Sequence, residues 1–392
     1  MNPKTFKLNS VILILFFIIS SCHKENKTEI IINKDSINKV NDYSKIKKEY
    51  SLKDFFSEDS LLTFRVNNVF NSLNDSEKIA QMIITSAGKG GKQFEIVSGL
   101  VMNKKVGGVI IMGGGKDLFK SLINKFTSVV EKNNFIPLLY AADAEPGFVE
   151  ARITSTLSFP PQSKIKSISE ADSIAKNISV LLKDLMININ FAPVCDASFN
   201  KDVINDRSFG NDNKKIVELS TSFINSTQRK NIIATAKHFP GHGNVIGDSH
   251  KELVYIDGEL TEIENFKNVI KSGVIAVMIG HIAIKNNREY QTDGLPSTLS
   301  RKIVTDLLRN KIGFKGLIIT DALNMGAVTK FDRPALKAAV AGCDLLLMPT
   351  DEIKLLNAIL SEANKNPEFK NQIFESIKRI IKAKICLGLI KI

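Results

Sequence analysis

Eight short runs of predominantly apolar, non-alternating residues constrain this chain more than anything else in it. They fall at 82–84, 106–112, 137–143, 189–194, 232–236, 274–279, 317–321 and 344–348. A strand with one face in water alternates apolar and polar side chains, whereas a strand covered on both faces does not. Amphipathic stretches with helical spacing separate the runs, as at 168–185, 216–228, 260–271 and 301–310. Strand and helix thus alternate eight times over about 310 residues, which predicts an α/β fold of the (β/α)8 barrel type. An open doubly wound sheet obeys the same alternation and is the alternative. With 43% hydrophobic residues the chain has ample material for one core, and no linker or repeat marks a second folded domain.

Polar residues stand at the C-terminal ends of these runs: Asp143, Asp196, Lys237 with His238, His281, and Asp321. In a parallel barrel those ends converge on one rim, where active sites form. After the fifth run comes Lys237-His238-Phe239-Pro240-Gly241-His242-Gly243, continuing to Asp248-Ser249-His250, so three of the five histidines share one segment. Pro and Gly break regular structure there and let the backbone approach a ligand. His238 and His242 have the spacing of two ligands on one helical face, but Pro240 and Gly241 between them break any helix, so no metal is expected. No cofactor is implied. The net charge of +12 comes from scattered lysines without a basic stripe, which argues against a nucleic-acid partner.

The chain begins with a targeting pattern. Lys4 and Lys7 precede an apolar run at 11–19 that is too short to span a bilayer, and Ser20 and Ser21 lead directly into Cys22. This resembles a bacterial lipobox. It predicts a signal peptide at 1–21, lipidation of Cys22, a flexible tether over 22–60, a catalytic domain over 61–392, and display in the cell envelope through a membrane anchor. Cys195, Cys343 and Cys386 are odd in number and sit among apolar residues, so buried thiols are expected rather than disulfides.

The Lys237–Gly243 motif with Asp248-Ser249-His250 resembles glycoside hydrolase family 3, in its single-domain β-N-acetylglucosaminidase branch. Gly107-Gly108-Val109-Ile110, Phe191-Ala192-Pro193-Val194-Cys195-Asp196, Asp206-Arg207-Ser208-Phe209-Gly210 and Gly316-Leu317-Ile318-Ile319-Thr320-Asp321 agree in order. The resemblance implies that Asp321 is the nucleophile of a retaining glycosidase, which needs a carboxylate at the anomeric carbon. It also implies that His250 replaces the usual second carboxylic acid, with Asp248 orienting its ring. Imidazole titrates near neutrality and so serves as acid and then as base. Lys237, His238, Arg207, Asp143 and Arg152 are implied as sugar ligands, although a mutual salt bridge would equally satisfy buried charges of this kind. His242 is expected to shape the loop, and His281 to make a core hydrogen bond.

One segment departs from the family pattern Asp-x-Glu-Gly-Gly-x-Val-x-Arg. Here Pro146 replaces a glycine and Arg152 comes one residue late, which predicts an altered loop path. The expected activity is exo-hydrolysis of terminal β-GlcNAc by a monomer, with peptidoglycan fragments as the expected source. Phosphorolysis and a degenerate sugar-binding barrel are the alternatives.

Overall fold

The computed structural model describes Tyr43, residues 46–245, 248–249 and 251–391. The chain divides into a leading unit, Met1–Ile46, of which only Tyr43 and Ile46 are described, and a compact unit, Lys47–Ile392. The lipobox and Cys22 lie outside the described residues.

All eight apolar runs form strands: β1 Ile83–Ala87, β2 Gly108–Ile111, β3 Leu139–Ala142, β4 Ile189–Asn190, β5 Ile233–Phe239, β6 Ala276–Ile279, β7 Leu317–Thr320 and β8 Leu346–Leu347. Neighbours pair in parallel in chain order, and β8 pairs with β1. Ile319 bridges Leu345, and the Thr320 amide donates to the Leu345 carbonyl at 3.0 Å, so β7 meets β8 and the sheet closes. An open sheet is thereby ruled out. Every residue of β5 is buried, which is why the run shows no alternation. The formal strand β4 is only two residues long because Pro193 cannot donate to the ladder. The chain nevertheless continues beside β5, with the Cys195 amide donating to the Lys237 carbonyl at 2.7 Å.

The outer helices follow from capping and periodicity. Helix Ile168–Asp184 opens with a capping box between Ser167 and Glu170 and buries Ala171, Ala175, Ile178 and Leu182 on one stripe. Each fully buried Ile or Leu of this kind contributes about 1.5–3 kcal/mol. Helix Asn213–Arg229 is capped by Asp212. The helix expected at 301–310 runs Lys302–Lys311 with widened, π-type turns.

Two short parallel pairs lie outside the barrel and gave no signal in the sequence. Gly114–Gly115 with Ile153–Thr154 joins the segment after β2 to that after β3. Val254–Asp257 with Ile282–Lys285 joins the segment after β5 to that after β6. The domain boundary at 61 also needs correction. Tyr50, Leu52 and Phe55 are buried in the core, and Asp59 caps helix Ser60–Ser72, so the compact unit begins at Lys47. Three irregularly spaced apolar residues among Lys, Glu and Ser produce no periodic pattern, which hid them.

The floor of the barrel carries its own buried charges. Asp344, just before β8, accepts from Arg309 at 2.6 Å, from Arg379 at 2.9 Å and from the Ile318 amide at 2.7 Å. Lys384 is fully buried and donates to Gln81 Oε1 at 2.6 Å and the Gly107 carbonyl at 3.0 Å; burial pushes its pKa down to about 7. Cys195, Cys343 and Cys386 are free, buried thiols, as expected.

Candidate active site

The fifth strand delivers Lys237 and His238 to the C-terminal mouth, and the next residues turn sharply. The side chain of Lys237 is 3% exposed. Its Nζ donates to Asp143 Oδ1 at 2.8 Å and to Glu145 Oε1 at 2.5 Å. Glu145 in turn accepts both forks of Arg207, from Nε and Nη2, each at 2.8 Å. Arg152 Nη2 lies 3.6 Å from Asp143 Oδ2. Four of the expected sugar ligands, Asp143, Arg152, Arg207 and Lys237, therefore form one ion cluster with Glu145 at its centre. Burial would raise the Glu145 pKa, but the Lys237 and Arg207 charges more than offset it and hold the group well below the usual carboxylate range. Burial likewise opposes the charged form of Lys237, and Asp143 and Glu145 reverse that effect and raise its pKa.

The segment with Pro146 reaches this cluster through a tight turn. After Pro146, Gly147 takes φ +86°, a conformation open to glycine, and a short helix, Val149–Arg152, follows. Arg152, at the end of that helix, lies within reach of Asp143.

His238 and His242 are held by Asp196, which is fully buried. His238 Nδ1 lies 2.7 Å from Asp196 Oδ2, and the His242 amide donates to Asp196 Oδ1 at 2.8 Å. The amide nitrogen of Asn200 donates to His242 Nδ1 at 3.2 Å, so the proton is on Nε2, which donates to Ser249 Oγ at 2.8 Å. Burial, then the neighbouring His238, lower the His242 pKa to about 4, so this ring is neutral and structural. The expectation that it shapes the loop fits this placement.

Asp321 follows the last residue of β7 and is half-buried. Its Oδ1 accepts from the Ala322 amide at 2.8 Å. Burial would raise its pKa, but the charges of His281 and His238, that amide and Lys237 lower it to about 2. The carboxylate is thus ionised throughout the physiological range. His281 is fully buried between Thr298 Oγ1, at 2.5 Å, and the Ala322 carbonyl, at 2.9 Å, so it braces the backbone one residue after Asp321. The core hydrogen bond expected for it is the one found. Asp248 is half-buried, with Lys251 Nζ 3.6 Å from its Oδ2. His250 lies outside the described residues.

Sequence reasoning missed three groups. Glu145 and Asp196 stood inside quoted motifs without a role, although acidic residues beside buried cations are the partners charge balance demands. Glu262 had no signal: it is a buried carboxylate that accepts from the Ala197 amide at 2.7 Å and the Gly243 amide at 2.9 Å.

The pattern of the glycosyl hydrolase family 3 N-terminal domain matches residues 75–383. A beta-hexosaminidase of Haemophilus influenzae is 32% identical over 289 residues, which cover 69% of this chain and 79% of the relative. One from Tolumonas auensis is 32% identical over 265 residues, covering 63% and 77%. A solved family 3 beta-N-acetylglucosaminidase from a Paenibacillus species superposes with a TM-score of 0.74 at 28% identity, over 81% of this chain and 63% of that longer one. A beta-N-acetylhexosaminidase from Beutenbergia cavernae, at 23% identity and a TM-score of 0.72, shares the fold over 80% of this chain and 98% of its own.

Proposed function

This chain belongs to glycosyl hydrolase family 3, and from that premise we propose that it is an exo-acting β-hexosaminidase that releases terminal β-linked N-acetylglucosamine with retention, using Asp321 as nucleophile. The observation that carries the reading is the Asp321 carboxylate, held ionised at the end of β7 on the rim that also bears the Lys237 and His238 side chains.

The Asp321 carboxylate attacks the anomeric carbon, the glycosidic C–O bond breaks, and His250 gives its proton to the departing oxygen. His250 then takes a proton from water, whose oxygen attacks the same carbon and frees Asp321. Two inversions give net retention. Asp248 orients the imidazole of His250. Asp143, Arg152, Arg207 and Lys237 bind the sugar hydroxyls and acetamide as a set already neutralised and fixed by Glu145, so little ordering is left for the moment of binding. His238, with Nδ1 committed to Asp196, offers Nε2 to the sugar.

Incubation with a slow-turnover fluorinated GlcNAc donor, followed by peptide mapping, tests the assignment. The label is expected on Asp321, and a label on another carboxylate overturns it. With an unmodified aryl β-GlcNAc, GlcNAc is expected with or without phosphate; GlcNAc 1-phosphate would make the enzyme a phosphorylase.

The lysines and apolar run before Cys22 support a lipid anchor at the cell envelope, where peptidoglycan supplies amino-sugar glycosides. A monomer suffices, because every proposed site residue comes from one chain. Metabolic labelling with palmitate is expected to mark the wild-type protein and not Cys22→Ala; equal labelling of both would remove the anchor.

A further inference from the structure

The segment bearing Asp248 and His250 leaves the barrel through a turn gripped by two buried carboxylates on different elements. Asp196, after β4, accepts the amides of His238 and His242. Glu262, just before helix Ile263–Lys271, is 4% exposed and accepts the Gly243 amide at 2.9 Å and the Ala197 amide at 2.7 Å, one on each oxygen. Asn244 Nδ2 adds a longer bond to Glu262 Oε1 at 3.4 Å. The fit is close on both sides. A Cβ on Gly241, where φ is +127°, would lie 2.6 Å from the Glu262 Cβ, and one on Gly243 would lie 2.2 Å from the Ala197 carbonyl oxygen. From this base His242 reaches forward to Ser249, the residue immediately before His250.

We propose that Glu262 is a positioning residue for the acid/base step: it fixes the Gly241–Asn244 turn and, through the bond from His242 to Ser249, the place at which the acid/base residue follows in the chain. This rests on the reading of His250 as acid/base. Asp196 alone leaves the Gly243 amide without an acceptor, and Glu262 is what ties that amide to the segment after β4. Burial, and then the Asp196 charge, raise the Glu262 pKa against the pull of the Ala197, Gly243 and Asn244 donors. The charged group that acts on it is Asp196, on the segment after β4. The carboxylate sits outside the sugar-ligand cluster, whose members pair among themselves.

A merely structural carboxylate would depress every substrate alike, whereas loss of acid positioning shows in the leaving group. The test compares kcat/KM of wild type, Glu262→Gln, Glu262→Ala and His250→Ala on methylumbelliferyl β-GlcNAc and dinitrophenyl β-GlcNAc, with thermal melts confirming the fold. Glu262→Gln keeps the shape and one acceptor, so it carries the comparison if Glu262→Ala does not fold. For the poorer leaving group, Glu262 variants are expected to lose roughly 10- to 100-fold, while the dinitrophenyl substrate, which needs no proton, changes by less than about 3-fold. Azide, which attacks the glycosyl-enzyme without a base, is expected to raise kcat of the variants on the dinitrophenyl substrate and to yield a glycosyl azide. Equal loss on both substrates in the Glu262 variants, with leaving-group dependence kept in His250→Ala, overturns the positioning role alone. Absence of that dependence in His250→Ala overturns the acid/base reading and this inference with it.

Discussion

The barrel holds buried ion clusters at both ends, and they are built differently. On the floor, Asp344 is fully buried and committed to two guanidinium groups and to the Ile318 amide of the neighbouring strand. At the mouth, Asp143 is 28% exposed and Arg152 is 45% exposed, and the contact between them is 3.6 Å. The floor cluster bonds strand β7 directly, at the closure where β7 meets β8. The mouth cluster joins side chains of three successive strand ends and leaves part of each outer member facing water. Burial of charge alone therefore does not mark a functional site. What distinguishes the mouth is a compensated cluster with a solvent-facing edge, open to a polar ligand.

Two variants sharpen the contrast. Asp344→Ala leaves Arg309 and Arg379 uncompensated at the closure. It is expected to cost about 3–5 kcal/mol in denaturant unfolding, with kcat per folded molecule changed by less than about 2-fold. Stability equal to wild type would remove the structural role of the floor cluster. The effect of Glu145→Gln on stability is smaller, because Asp143 still pairs with Lys237 and water reaches the cluster edge. About 1–2 kcal/mol is expected. Its catalytic cost is the larger one, roughly 10- to 100-fold in kcat/KM on an aryl β-GlcNAc, since Lys237 and Arg207 lose their common brace. A variant with full kcat/KM and a low melting temperature would make the mouth resemble the floor.

The strands were legible because burial on both faces leaves a signature that needs no tertiary information, and all eight runs carried it. The Lys237–Gly243 segment was legible because Pro, Gly and His rarely gather without a reason in backbone geometry or chemistry. Glu145 and Asp196 were visible as acidic residues but not as partners, because their mates lie on other strands: Arg207 on the segment after β4, His238 on β5. Glu262 was invisible for a deeper reason. On an amphipathic helix start an acidic residue reads as a solvated cap, and only the packing of that helix beneath the turn buries it. Residues 47–60 were missed in the same way, since irregular spacing conceals contacts made with distant helices.

The pairing of Val254–Asp257 with Ile282–Lys285 gives the histidine segment a second footing, further along the chain than the one at Gly243. The proposed acid/base residue is thus bracketed in sequence by two anchored stretches, Gly241–Asn244 and Val254–Asp257, and is carried between them rather than on a free end.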